Sequence, residues 1–374
     1  MVHFYLRLIT FFIGVIIGVL LAIKYKNYVV EVYTKSEVSA KKHIPSYNTW
    51  LESQRLKRKD ILWDILRYKR HDYMIESHFL YSKIKVLCII LVRNSRNVKA
   101  IENTWGRGCN NIKLIEVNAK NKVIFGKRNK ESSSWVLLCK TLKNINYEYD
   151  WVLIANDNTF FILENLRYYV ASLKSSKRYY MGYAVKFWDT VYNSGEAGYV
   201  ISKGTVYTFN KHFMETDCST NTYWNREDFY LGKYLSKLNI TPIDTRDSEG
   251  LSTFHPYNWY HVFFPGENYY KTSIFPVQCC SKNSISFQAI EGDKMYTYYY
   301  LLYTLQIFVD GKFGNRPSAT QIPDEQVWKQ FLKERNVPSD NITSIQYFKI
   351  WENLVDDPSS FAALIKKEVH FDYD

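Results

Sequence analysis

The run Trp151-Val-Leu-Ile-Ala-Asn-Asp-Asn-Thr159 carries an apolar stretch, Val152 to Ala155, up to a polar triplet, Asn156-Asp157-Asn158. Clustered carboxylates at the carboxyl end of a buried strand can hold a divalent metal ion against a diphosphate. Here two of the three positions carry amides, which ligate through oxygen but bring no charge. A second chemical group is Arg226-Glu227-Asp228, where paired acids can take a proton from a hydroxyl. A third is His255, in Thr253-Phe-His-Pro256, a ligand type for a transition metal. Each has a plainer reading. Asp157 can cap the chain after a strand, Glu227 and Asp228 can open a solvated helix, and a lone histidine can serve only as a hydrogen-bonder.

Elements that would position these groups are readable around them. Val86 to Val92 is a short, continuous apolar run, as expected of a parallel strand covered on both faces. A helix is predicted over Asn97 to Trp105, a strand over Lys113 to Val117, and a third strand over Lys122 to Phe125. Ser132 is the expected N-cap of a helix over Ser134 to Lys143. The strand Trp151 to Ala155 and a helix over Glu164 to Leu173 follow. Alternating strands and helices predict a doubly wound α/β sheet, with ligands beyond the carboxyl ends of its strands.

The chain has 374 residues, 46% of them hydrophobic, enough for one large domain with appendages. Aromatic content is 17%, with 32 Tyr and 22 Phe, which suits either stacking on sugar faces or an aromatic-rich core. Leu8 to Ile23 is almost wholly apolar and Lys24 and Lys26 follow it. This predicts an uncleaved signal-anchor rather than a cleaved signal peptide, with a single-pass type II arrangement. The expected order is a cytosolic tail over 1–7, a membrane anchor over 8–23, a basic stem over 24–80, a folded luminal domain over 81–315 and a peripheral tail over 316–374. Lys and Arg of the stem supply much of the positive charge behind the net +12, and no motif ties it to nucleic acid. Six cysteines in a luminal domain can oxidise. Cys88 with Cys109 is a plausible pair, Cys279 and Cys280 are adjacent, and Cys139 and Cys218 are either paired or free. Asn239-Ile-Thr and Asn341-Ile-Thr are glycosylation sequons, the first followed directly by Pro242.

Several blocks, in order, resemble the core 1 β1,3-galactosyltransferases of glycosyltransferase family 31, a Fringe-like group. They are Val86-Leu-Cys-Ile-Ile with Asn103-Thr-Trp-Gly-Arg-Gly-Cys109, Asp150-Trp to Asn165-Leu-Arg, Gly195-Glu-Ala-Gly-Tyr-Val-Ile-Ser202, Arg226-Glu-Asp-Phe-Tyr-Leu-Gly232, Asp244-Thr-Arg-Asp with Thr253-Phe-His-Pro, and Gln278-Cys-Cys-Ser with Met295-Tyr to Tyr303. The resemblance spans roughly residues 84 to 312. It implies a GT-A fold with a doubly wound mixed sheet, and inverting transfer of galactose from UDP-galactose to the 3-hydroxyl of O-linked GalNAc on glycoproteins, with Mn²⁺. It implies metal ligation by Asn158 and His255 with Asp157, and contact with the nucleotide by Asp157, Asn156 and Lys130. It makes Asp228 the base, with Glu227 orienting the site. Trp259 and Tyr260 would stack on the acceptor sugar or pack in the core. A Golgi or ER membrane location is implied, as is a homodimer or a paralogue partner.

The chain departs from the family's pattern in three places. Three aspartates become Asn156-Asp157-Asn158, with Asn158 at the direct metal ligand. Gly-Gly becomes Gly195-Glu196, adding bulk and charge. The family's partner for the cysteine matching Cys218 falls on Tyr234, so that disulfide is lost or rerouted. Loss of the triple aspartate is shared with Cosmc-like chaperones, so an inactive chaperone or sugar-binding relative is the alternative to an enzyme. Retention of Thr253-Phe-His-Pro and of Glu227-Asp228 favours the enzyme.

Overall fold

A computed structural model describes residues 46–59, 73–117, 133–218, 225–263, 273–275, 278–309, 312–313 and 319–321, with isolated positions 18, 20, 22 and 24. The chain divides into two compact units, one built from residues 1–50 and 76–317 and the other from 51–75 and 318–374.

The larger unit is organised by a five-stranded sheet. Its strands are β1 (Val86–Val92), β2 (Asn111–Glu116), β3 (Trp151–Asn156), β5 (Tyr180–Gly182) and β8 (Tyr199–Ser202), in the order β2-β1-β3-β8-β5. The intervening β4 (Thr159–Phe161) pairs with β9 (Ser286–Gln288), and β6 (Ala184–Phe187) forms a hairpin with β7 (Thr190–Asn193). β1 runs parallel to β2 and β3, while β8 is antiparallel to both β3 and β5. This is the mixed α/β sheet that the resemblance implied.

β1 is buried at all seven positions because both faces are covered. Leu87, Ile89 and Leu91 join a core that includes Trp135, Leu138 and Leu142 of helix α2 (Ser134–Lys143). Cys88, on the opposite face, is bonded to Cys109. Helices α1 (Ser95–Asn103), α3 (Leu163–Val170), α4 (Lys203–Phe213) and α5 (Glu227–Ser236) belong to the same unit, as do the helices Glu76–Lys83, Trp259–Phe263 and Gly292–Tyr299. The strands foreseen at Lys113 and Trp151 are present. The segment Lys122 to Phe125 lies outside the described residues.

Three local details differ from the sequence reading. Helix α2 is capped by Ser133, not Ser132: its hydroxyl accepts from the Val136 N–H at 3.3 Å. A cap side chain reaches the amide three residues on, which selects the residue directly before the helix. Helix α1 opens earlier than expected, at the Asn94 cap, and stops at Asn103, so Trp105 falls in a short 3₁₀ turn. Helix α3 ends at Val170, short of Leu173.

The third cysteine pairing is resolved as Cys139 with Cys218. The bond is thus rerouted: Tyr234 instead packs its ring on Trp135 at a centroid distance of 4.9 Å, and α2 presents Cys139 to the same core as Cys218. Cys279 and Cys280 are also bonded.

The smaller unit contains a three-stranded sheet in which Ala319–Gln321 lies between Lys57–Lys59 and Tyr73–Ile75, antiparallel to both. Part of the stretch expected to be a stem therefore pairs with the first residues of the expected tail. In the larger unit, Tyr47 donates a hydrogen bond to Glu76 at 2.5 Å and its ring meets Tyr168 at 4.2 Å. The folded body thus includes residues before position 81. The expected anchor at 8–23 lies almost wholly outside the described residues, and the sequon at Asn341 lies outside them. No helix among the described residues is long and apolar enough to cross a membrane.

Both backbone angle and space require a glycine at position 198. Gly198 has φ +64°, and a Cβ there would stand 2.4 Å from Cζ of Phe161. Phe161 is fully buried and cannot retreat. Gly198→Ala is expected to destabilise the protein by roughly 1–3 kcal/mol through strain and overpacking, seen as a lowered urea midpoint with an unchanged slope.

Candidate functional site

The sheet register creates the site. Leu91 pairs with Asn156, so β1 and β3 end at the same level. β8 runs the other way, with Tyr199 opposite Ile154, so the turn Ser194 to Gly198 arrives at that same edge. Helix α5 brings Glu227 and Asp228 to it from below Gly195. A Cβ on Gly195 would lie 3.2 Å from Glu227 Oε1, 3.3 Å from Asn156 Nδ2 and 3.3 Å from Asp228 Oδ2. Glycine at 195 leaves room for these three side chains to meet. Asn156, Asp157, Glu227 and Asp228 are all buried.

Asp228 is a saturated carboxylate. Oδ1 accepts from Arg226 Nε at 3.0 Å and from the Phe229 N–H at 2.8 Å. Oδ2 accepts from Arg226 Nη2 at 2.9 Å and from the Gly195 N–H at 2.9 Å. Its hydrogen bonds to the turn and to its own helix start fix Gly195 over α5. Glu227 is different. Burial pushes its pKa above the usual carboxylate range, and the neighbouring negative charge of Asp228 pushes it further. Arg93, whose Nη2 lies 3.5 Å from Glu227 Oε2, and the Ser134 hydroxyl oppose that shift.

The triplet is dispersed rather than convergent. Asn156 accepts from Arg93 Nη1 and donates from Nδ2 to the Gly195 carbonyl at 3.0 Å. Asp157 Oδ2 accepts from the backbone N–H of Arg93 at 2.7 Å and of Asn94 at 2.6 Å. It therefore holds the β1–α1 loop in place. Asn158 donates to Glu196 Oε2 at 3.4 Å, and Gln288 donates to the same oxygen at 2.7 Å. The Asn158 Oδ1 is buried and accepts nothing among the described residues.

His255 is buried against Phe287, its ring stacked at 4.5 Å, with Nε2 3.1 Å from the Ser284 hydroxyl. Burial pushes its pKa down to about 3, so it is a neutral imidazole. Among the described residues no three His, Cys, Asp or Glu side chains stand together as a metal site. The donor chemistry agrees: Asp157 is engaged with backbone amides, Asn156 faces a guanidinium, and Asn158 offers one neutral oxygen. These groups do not fit a manganese ion held as the resemblance implies.

Burying His255 as a neutral ring has a pH consequence. Unfolded, it takes up its proton near 6.5; folded, only near 3. Its contribution is complete above pH 6.5 and is lost as the pH falls toward 3, by about 1.4 kcal/mol per unit. Urea midpoints measured from pH 7 down to 4.5 are expected to fall with that slope, and His255→Asn is expected to flatten it.

Of the remaining sequence candidates, Lys130 lies outside the described residues. Trp259 stacks on Tyr298 at 4.1 Å and meets Phe287 edge-on at 5.8 Å. It lines a cavity of about 670 Å³ shared with Ser284, Phe287 and Tyr303. Tyr260 is 69% exposed. Glu196 lines a different cavity, of about 480 Å³, with Lys186, Tyr192, Ser194 and Tyr257. Trp259 and Glu196 are therefore not brought to one pocket. The sequence reading passed over Arg93, and it named Arg226 in its motif without giving it a role. The signal for Arg93 was its place directly after the buried run Val86 to Val92, where parallel strands present ligand-binding groups.

No protein-family model matches the chain. A Xenopus laevis protein, glycoprotein-N-acetylgalactosamine 3-beta-galactosyltransferase 1, is 29% identical over 253 residues, which is 62% of this chain and 69% of that one. Among solved structures, the galactosyltransferase LgtC in complex with donor and acceptor sugar analogues matches at 12% identity and a TM-score of 0.31, over 59% of this chain and 97% of that one. A 4-diphosphocytidyl-2C-methyl-D-erythritol synthase from Anaerococcus prevotii matches at 11% identity and a TM-score of 0.27, over 44% and 88%. At those scores the structural likeness carries no weight for function. The sequence match makes the chain a divergent relative of that Xenopus laevis galactosyltransferase.

Proposed function

We propose that the chain is an inverting glycosyltransferase that moves galactose from UDP-galactose to the 3-hydroxyl of O-linked GalNAc on glycoproteins. The observation that carries this reading is the acid pair Glu227–Asp228 gathered under Gly195 at the carboxyl edge of the sheet, in a chain related to an enzyme named for that transfer. The acceptor oxygen forms a bond to C1 of galactose as the bond from C1 to the β-phosphate oxygen breaks. UDP departs with that electron pair, and the hydroxyl proton passes to a carboxylate, directly or through one water.

Of the two acids, Glu227 is the better placed proton acceptor. Burial raises its pKa, and the Asp228 carboxylate is committed to Arg226 and two backbone amides. Asp228 then positions Gly195 and α5. Three disulfides fit a secretory compartment, so we place the domain in the Golgi or ER lumen behind a type II anchor.

A second reading, a non-catalytic chaperone or sugar-binding relative, is favoured by one observation: Asp157, the triplet's remaining carboxylate, is engaged by the β1–α1 loop. Turnover separates the two. Full-length protein in detergent is incubated with UDP-galactose and a GalNAc-bearing peptide, and the disaccharide linkage is determined. A β1,3-linked product supports the enzyme. No product from folded, disulfide-bonded protein, with or without Mn²⁺, sinks it.

A further inference from the structure

We propose that Arg93 supplies the positive charge that holds a nucleotide diphosphate at this site, so that nucleotide binding needs no divalent metal ion. The inference rests on the glycosyltransferase reading and adds how its donor is held. A departing diphosphate must be balanced by nearby positive charge. In this chain the metal-holding acids are absent or engaged, and a guanidinium stands in their midst.

Arg93 leaves the carboxyl end of the interior strand β1, where ligands of such sheets bind. Its own N–H and the next are fixed by Asp157, so its backbone is held in place. Its side chain lies between Asn156 and Glu227, yet 37% of it remains exposed. A planar guanidinium with free N–H groups suits bidentate contact with phosphate oxygens.

The two replaced aspartates fit the same account. A cation at Asn156 would disfavour a dication beside it. Asparagine at 156 accepts one N–H from Arg93 without neutralising it, whereas aspartate there would form an ion pair and draw its charge away from the ligand. Phosphate contact would also draw Arg93 away from Glu227, removing an influence that lowers the glutamate's pKa.

The test is calorimetric titration of UDP into the full-length protein in detergent, after chelator treatment, with either EDTA or Mn²⁺ present. The expected Kd is the same within about threefold in the two buffers. Arg93→Met is expected to weaken binding roughly tenfold or more in both, in protein that still unfolds cooperatively. Arg93→Lys is expected to recover part of the loss, which a purely structural role would not predict. The double variant Asn156→Asp/Asn158→Asp is expected to bind more weakly in EDTA and to become Mn²⁺-dependent. UDP binding by the parent only with Mn²⁺ would overturn the proposal while leaving the transferase reading intact. It would mean that Asn158 and Glu196 hold an ion together with the diphosphate. Unchanged affinity in a folded Arg93→Met protein would also overturn it. No UDP binding in either buffer would overturn both the proposal and the reading it rests on.

Discussion

Glu227→Gln is expected to lower kcat by about 10²–10⁴-fold, the usual contribution of a general base, while leaving the protein as stable or more stable at neutral pH. Both halves follow from one fact. Glu227 is buried beside Asp228, and its pKa is raised for those two reasons, in that order. In the folded protein the protonated form is favoured relative to the unfolded chain. Its effect on stability is therefore absent below the unfolded value of about 4.5. As the pH rises through the folded pKa, stability is lost, because a charge must then be kept in a desolvated place. A neutral amide of the same shape removes that penalty and also the proton acceptor. The acid limb of kcat/KM in the parent should lie above the ordinary carboxylate range, and the limb should disappear in the variant. Rate and urea-unfolding measurements on the same preparation test this. Full turnover by Glu227→Gln would return the role of base to Asp228, where the family resemblance places it.

Asp228→Asn is expected to behave in the opposite way, costing the fold roughly 1–3 kcal/mol by leaving a buried donor unmatched. All four contacts to the carboxylate come from N–H donors: two from Arg226, one from Gly195 and one from Phe229. An amide can present its oxygen to one pair, but its NH₂ then faces the other. Arg226, with 53% of its side chain exposed, can turn to water. The backbone amides of Gly195 and Phe229 cannot. The penalty therefore falls on the turn above α5 and on the helix start, and turnover is lost because Gly195 moves. Lowered urea midpoints together with loss of rate are the expected readings. Loss of rate at full stability would instead make Asp228 the proton acceptor.

Much of the frame was legible in the sequence because its signals are local. A seven-residue apolar run such as Val86 to Val92 has no polar face to turn to water, so it must be covered on both sides. Apolar strands alternating with helix patterns then imply a sheet with a parallel core. The edge at which Asn156-Asp157-Asn158 emerges follows from the strand's direction alone. The ordered blocks from Val86 to Tyr303 added the family relationship, which no single block carried.

What a side chain does at that edge depends on partners distant in sequence, and only the tertiary structure decided it. Nothing local shows that Asp157 spends its carboxylate on the amides of Arg93 and Asn94, some 63 residues earlier. Nothing local shows that Asp228 is saturated by Arg226, Phe229 and Gly195 while Glu227 beside it is left desolvated. The carboxylate of Glu196 reads in sequence as bulk added to a glycine turn; its hydrogen bonds to Asn158 and Gln288 arise because β3, β8 and β9 converge. The rerouted Cys139–Cys218 bond has the same origin, since two chain segments 79 residues apart share one core. Pattern and propensity act over a few residues and so determine strands, helices and their order. Charge, hydrogen bonding and burial act across space, and they assign the chemistry only once the sheet has brought those residues together.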